Sequence, residues 1–237
     1  MKVALSFFLI VVLIVARPAW AAIAYDNAVA SSYSNNGTLT WSHTITGSVP
    51  NPILFVGCDE NTTSNQITGI TYNNIALTLI ASTNTGSAQN ATLWYLASPP
   101  TGSSYTVTVS NGPNYVDCVS ASYTGAAQLS PIDVSTTATY AASSYTTYAT
   151  NLTTSVSGDW GVQISMALSE YGPYDSPDVK RAALAFSEGG VVDTNGATVP
   201  AGTISLKTTP QSNGTQAVVV AAFKPVAGGS SILNAFP

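Results

Sequence analysis

The chain has 237 residues, of which 45% are hydrophobic and only 7% charged; six are Lys or Arg, eleven are Asp or Glu, and one is His. Charged residues usually make up about a quarter of a globular domain, so here Ser, Thr, Asn, Gly and Tyr must carry the surface. Six cations cannot be gathered into a basic patch, which excludes an electrostatic grip on nucleic acid or on an anionic membrane.

The chain opens with Lys2, a run from Val3 to Ala16 without a charged residue, and Ala19-Trp20-Ala21. That order of basic, apolar and small-residue segments is the signature of a secretory signal, with cleavage expected after Ala21. The apolar run is shorter than the roughly 20 residues a helix needs to span a bilayer. Its alternative readings are a retained membrane anchor or a hydrophobic assembly segment. With residues 1–21 removed, the expected product is secreted, extracellular or at the cell surface, and free of the membrane. Its cations are then Lys180, Arg181, Lys207 and Lys224.

From residue 22 onward no stretch sustains a helical period, while two-residue alternation recurs between Gly, Pro, Asn and Ser clusters. "TLTWSHTIT" sets Leu39, Trp41, His43 and Ile45 on one face, and "PILFVGCDE" is nearly continuously apolar, as a central strand would be. "ITGITYNNIALTLI" reads as two strands joined at Asn73-Asn74, residues that tolerate the positive φ of a two-residue hairpin. "ATLWYLA", "SYTVTVS" and "YVDCVSASYT" follow, then "ATNLTTSV", "DWGVQISMAL", "RAALAFSEG", "GTISLKT" and "TQAVVVAAFK". About a dozen short strands with regular turn signals predict an all-β, antiparallel two-sheet sandwich of jelly-roll type. Trp41, Phe55, Trp94, Val107, Ile164 and Val219 should point inward. No linker divides residues 22–225, which are read as one domain.

Cys58 and Cys118 each sit in a strand-like run, and an even count in an oxidising compartment points to a disulfide between them; two buried free thiols are the alternative. Five acceptor sequences for N-linked sugar occur, at Asn36, Asn61, Asn90, Asn151 and Asn213. A carbohydrate coat would keep so weakly charged a surface soluble. The last twelve residues, 226–237, form a joint at Gly228–Ser231 followed by the apolar Ile232, Leu233, Ala235 and Phe236. Left in water, each large apolar side chain forgoes roughly 1.5–3 kcal/mol of burial, so the segment is expected to dock, either on its own domain or on a second copy; the run "AIAYDNAVA" after residue 21, or a retained leader, could be the donor instead.

"ITGITYNNIALT", "LWYLASPPTGSSYTVTVS" and "SYTGAAQLSPID" resemble, in that order, motifs of a broad group of secreted bacterial β-sandwich modules, mostly uncharacterised. The usual forms run T-Y-N-G-x-A-L-T, W-Y-L-x-x-P-x-T-G and S-Y-x-G-x-x-Q-x-x-P-I-D; Asn74 stands where the group commonly has Gly. The likeness covers most of the chain after residue 21 and implies a fold, since its motifs are turn and core residues, not an activity. The architecture is also similar, more distantly, to subunits of glycosylated extracellular fibrils.

Chemistry-bearing residues are sparse. His43, the sole histidine, lies on an apolar strand face and reads as a core histidine rather than a base or ligand. No nucleophile elbow, phosphate loop, dinucleotide fingerprint or zinc spacing is present. Glu60, Glu170 and Glu188 offer carboxylates, but nothing in their spacing selects a catalytic pair. Glu170, Asp175 and Asp178 share a Pro/Gly loop that lacks the spacing of a dedicated Ca²⁺ site. Tyr140, Tyr145 and Tyr148 can stack sugars or cover a sheet edge. The reading is a non-enzymatic structural subunit, without cofactor or metal, whose partners are copies of itself and covalent glycans; a monomeric carbohydrate-binding or adhesive module is the alternative.

Overall fold

The structure, a computed structural model, describes residues 22–86, 89–110, 115–143, 146–167, 178–185, 188–210 and 213–227. The leader and the apolar segment Ile232–Phe236 lie outside the described residues. In chain order the strands are β1 (Ala24–Ala30), β2 (Thr38–Thr44), β3 (Ile53–Glu60), β4 (Gly69–Tyr72), β5 (Ile75–Ala76), β6 (Thr78–Asn84), β7 (Asn90–Ala97) and β8 (Ser104–Ser110). Then follow β9 (Val116–Thr124), β10 (Ile132–Ala142), β11 (Tyr148–Thr153), β12 (Trp160–Ala167), β13 (Val179–Ala183), β14 (Glu188–Asp193), β15 (Thr203–Thr208) and β16 (Gly214–Phe223). Among the described residues there is no helix, and every strand pairing is antiparallel.

The all-β sandwich principle holds, but the sheets number four instead of two, and the described strands number sixteen instead of about a dozen. Layer one is β2-β8-β4-β5, layer two β1-β9-β3-β7-β6, layer three β10-β16-β12-β14-β13, and layer four β11-β15. Three apolar clusters fill the gaps between successive layers. Leu39, Trp41, Val56, Tyr72, Trp94 and Val107 lie between layers one and two. Phe55, Leu93, Tyr123, Ile164, Val219 and Phe223 lie between two and three. Leu152, Ile204, Leu206, Val218 and Val220 lie between three and four. The six residues predicted to point inward are all buried.

Extra strands account for the miscount. The stretch read as a single hairpin with its turn at Asn73-Asn74 does turn there, both residues having positive φ. Two residues beyond it, however, the chain crosses from layer one to layer two at Leu77, which divides the second strand into β5 and β6. β10, "IDVSTTATYAA", is rich in Ser, Thr and Ala, and its alternation is weak because small and polar residues dilute it: Val134, Ala138 and Tyr140 turn to the core between layers three and four, and the ladder with β16 runs from Ile132 to Ala142.

Layers two and three meet closely. Gly57 sits at the centre of β3, and a Cβ placed on it would lie 2.8 Å from three side-chain atoms of Ile164 on β12. Both residues are fully enclosed, so the added methyl has nowhere to go, and overpacking of this kind costs about 1–3 kcal/mol. Gly57→Ala should therefore lower the unfolding free energy by an amount of that order, read as a lower midpoint of chemical denaturation at unchanged m. Adding Ile164→Ala should recover part of the loss, so that the two changes are not additive.

Candidate functional site

Three buried polar assemblies and one surface groove are the places where chemistry is concentrated. The first surrounds His43 on β2, which is 1% exposed. Its Nδ1 lies 2.8 Å from Ser120 Oγ and its Nε2 3.0 Å from Ser122 Oγ, both on β9. Ser122 Oγ donates to Asp26 Oδ2 at 2.7 Å, and Trp41 Nε1 donates to Ser120 Oγ at 2.9 Å. Donor counting then orients the chain. With its proton committed to Asp26, Ser122 must accept from Nε2–H, which leaves Nδ1 to accept from Ser120. The imidazole is neutral, and burial pushes its pKa down to about 4 although Asp26 pulls the other way. A Ser, a His and an Asp are thus in contact, but the serine bonded to the histidine is itself fully buried. The arrangement ties β1 and β2 to β9; it presents no nucleophile to solvent.

The second assembly joins layers two and three. Arg181 on β13 grips Asp193 on β14 through both carboxylate oxygens, at 2.6 and 3.0 Å. Tyr123 OH donates to the same carboxylate at 2.9 Å, and the guanidinium lies 4.1 Å from the ring centroid of Tyr25. Asp193 is fully enclosed, so removing its partner would strand a buried charge.

The third is a carboxyl pair at the start of β10 and β12. Asp133 accepts from both the backbone N and the Oγ of Ser155, and these bonds hold its carboxyl below the usual range against the opposing effect of burial. Asp159 is fully buried, no other group donates to its oxygens among the described residues, and its protonated carboxyl has the Asp133 carboxylate as acceptor. Burial, with the facing Asp133, pushes it up to about 7. The group therefore keeps its proton where an ordinary carboxyl has lost it.

The disulfide between Cys58 and Cys118 is formed, joining directly opposed residues of β3 and β9 inside the core between layers one and two. A cross-link closing a loop of this length contributes about 4 kcal/mol on the chain-entropy account. A buried disulfide fits an extracellular protein.

The predicted acceptor asparagines divide. Asn36, Asn61, Asn151 and Asn213 are exposed. Asn90 is not: it is 1% exposed, and its Nδ2 donates to Glu60 Oε2 at 2.7 Å. In the folded chain the atom that would carry sugar is therefore enclosed and already engaged, which sets Asn90 apart from the other four acceptor sequences. Glu60 is consumed by the same contact and by Gln66 N at 2.8 Å. Alternation along a strand could not have shown this, since both ends of β7 face covered layers.

Tyr140 and Tyr148 stack on one another at 4.9 Å. Their hydroxyls bond the backbone of Ala149 and of Ala141, so the rings brace β10 against β11 rather than offering a free face. Tyr145, Glu170 and Asp175 lie outside the described residues. Asp178 is buried and accepts from Lys207 N at 2.8 Å. It borders an open groove of about 450 Å³ whose other polar lining includes Thr194, Asn195, Thr198, Ser205 and Lys207. Among the described residues no three His, Cys, Asp or Glu side chains are grouped to hold a metal ion. A feature missed by sequence reasoning is the pair Tyr33 and Tyr115, 51% and 41% exposed with ring centroids 6.2 Å apart. They are brought together by the bridge between Ser34 and Val116, near Asn36 and Asn61.

No known protein family and no curated protein matches the chain.

The two titrating assemblies act on stability in opposite senses. His43, with its folded pKa depressed, stabilises increasingly as pH rises from about 4 to 6.5. Asp159, with its folded pKa raised, contributes stability that is full below about 3.8 and is lost as pH rises through about 7. Wild type therefore shows a flattened profile. Asp159→Asn isolates one component: relative to that variant, the wild type should lose stability steadily from pH 4 to 7.5 and then level off. Urea midpoints of the two proteins across that range check the sign.

Proposed function

We propose that the chain is a secreted structural subunit that assembles, by docking of a terminal segment onto a neighbouring copy, into a glycosylated extracellular or surface fibril. The observation that carries this reading is the state of the sheet edges. Among the described residues no sheet closes on itself, and the edge strands β5 and β6 fall in the stretch between Glu60 and Asp117, which holds no charged residue. Open edges are ordinarily protected by lysine, proline or inward-pointing charge. An uncharged, unclosed edge in a chain that also carries an apolar terminal segment suits a protein whose edges are meant to pair. A heterologous contact of this kind propagates as a filament unless its rotation closes a ring. The four exposed acceptor asparagines and the buried disulfide support a secreted, sugar-bearing subunit.

A monomeric carbohydrate-binding module is the second reading, favoured by the exposed Tyr33–Tyr115 pair and the Thr- and Asn-lined groove beside Asp178. Rigid aromatic faces stack on sugar rings at small entropic cost.

Negative-stain microscopy of the protein purified from its secreting host should show filaments; monodisperse particles at all concentrations would favour the second reading. Intact-mass measurement on the same material should exceed the bare polypeptide. Peptide mapping should place sugar on one or more of Asn36, Asn61, Asn151 and Asn213, and none on Asn90. A mass equal to the bare chain removes the glycan from the proposal.

A further inference from the structure

The pair of layers one and two has two lateral openings, and they are built differently. On the side of β1 and β2 the gap is bridged by side-chain hydrogen bonds. Asn27 Nδ2 donates to Thr44 O at 2.9 Å, Thr46 N donates to Asp26 Oδ2 at 3.3 Å, and the Asp26–Ser122–His43 chain runs just behind them. On the opposite side the edges are β5 and β6, joined through Leu77, and neither has a further strand partner among the described residues. There Ile75 is 44% and Leu79 39% exposed. Register puts Ile75 opposite Tyr72 and Leu79 opposite Trp94, whose side chains both belong to the core between these layers. The two exposed residues therefore lie at the rim of an apolar core.

The rim at β6 is apolar on both of its faces. Ile75 and Leu79 border the core between layers one and two, while Ile80 and Ala81 pack against the core between layers two and three. A strand laid beside β6 therefore meets apolar rim residues on either face, and apolar side chains in both of its alternating sets would cover them. The segment "ILNAF" has Ile232 and Phe236 in one set, flanking Asn234, and Leu233 and Ala235 in the other, with no charge. Ahead of it, Gly228–Ser231 supply a joint.

Resting on the fibril reading above, we infer that β6 is the acceptor edge and that Ile232–Phe236 of a second copy adds to layer two as its sixth strand, covering Ile75 and Leu79. Backbone pairing with Thr78–Asn84 supplies the hydrogen bonds, and alternate side chains cover the apolar rims of the two cores. The β1 edge at the other end of the layer is not used, because the polar side chains that bridge its opening would have to be stripped of their partners.

The test uses the full chain with two added cysteines, Ser82→Cys on the exposed side of β6 and Asn234→Cys in the segment. Under mild oxidation, non-reducing electrophoresis should show a covalent ladder of dimers, trimers and higher species. The same chain carrying Asn151→Cys on β11 in place of Ser82→Cys is the control and should give at least tenfold less. Leu79→Asp in the Ser82→Cys/Asn234→Cys background should cut the ladder by a similar factor, while Leu79→Ile should retain it. A cross-linked species that stays monomeric would show the segment folded back on its own β6 and overturn the inference, as would a ladder no stronger than the control. The fibril reading is judged separately: a ladder from a protein that forms no filaments under the microscope leaves the β6 acceptor standing and removes the fibril, whereas filaments without the ladder remove the acceptor alone.

Discussion

Burial of a sheet on both faces is the constraint from which the rest of this structure follows. β3 lies at the middle of layer two and β16 inside layer three, and nearly every residue of each is enclosed. An antiparallel sheet commonly faces water on one side and can alternate apolar with polar residues. Here neither face is free, and the ionisable groups that enter are answered by another group, as at His43 and Asp193, or neutralised by a proton, as at Asp159. Gln163 and Ser165 on β12 are enclosed with side-chain atoms that find no partner among the described residues. The low charge of the whole chain is a consequence: strands sandwiched in this way have few places for Lys or Glu.

The polar groups that do enter these cores hold layers together. The donor chain from Trp41 through Ser120, His43 and Ser122 to Asp26 runs in one direction, and every proton in it has an acceptor. That consistency requires a neutral imidazole, which burial enforces. The Arg181–Asp193 pair does the same between layers two and three with charges retained, because the bidentate contact, Tyr123 and the ring of Tyr25 together replace the water both groups lose. Asp159 illustrates the remaining solution. Lacking a donor, it is accommodated by holding its proton up to about pH 7.

The same stacking leaves lateral edges open, since four short sheets piled face to face cannot close as a barrel does. The two sides of the upper pair of layers differ in chemistry, one sealed by Asp26 and Asn27, the other lined by Ile75 and Leu79. Glycan acceptors Asn36 and Asn61 lie at one end of layer two, where Asn61 N bonds the carbonyl of Tyr115. Asn151 is on the outward side of the two-stranded fourth layer.

The sequence by itself determined the local chemistry: strands from two-residue alternation, the hairpin at Asn73-Asn74 from residues that accept positive φ, and the Cys58–Cys118 pairing from parity. "PILFVGCDE" was legible as a central strand because continuous apolarity reports enclosure on both faces. What the sequence could not carry was the number of layers. A strand with one covered face and a strand with two differ in what packs against them, and partners such as Gly57 and Ile164 are more than a hundred positions apart. For the same reason nothing in its own sequence distinguishes Asn90 from the other acceptors, since Glu60 is brought against it by the pairing of β3 with β7; in β10 the alternation of Val134, Ala138 and Tyr140 is diluted by Ser, Thr and Ala, and pairing with β16 makes it a strand. Tertiary structure decided which alternating faces met a second sheet, because burial is a property of the contact between elements and not of either one alone.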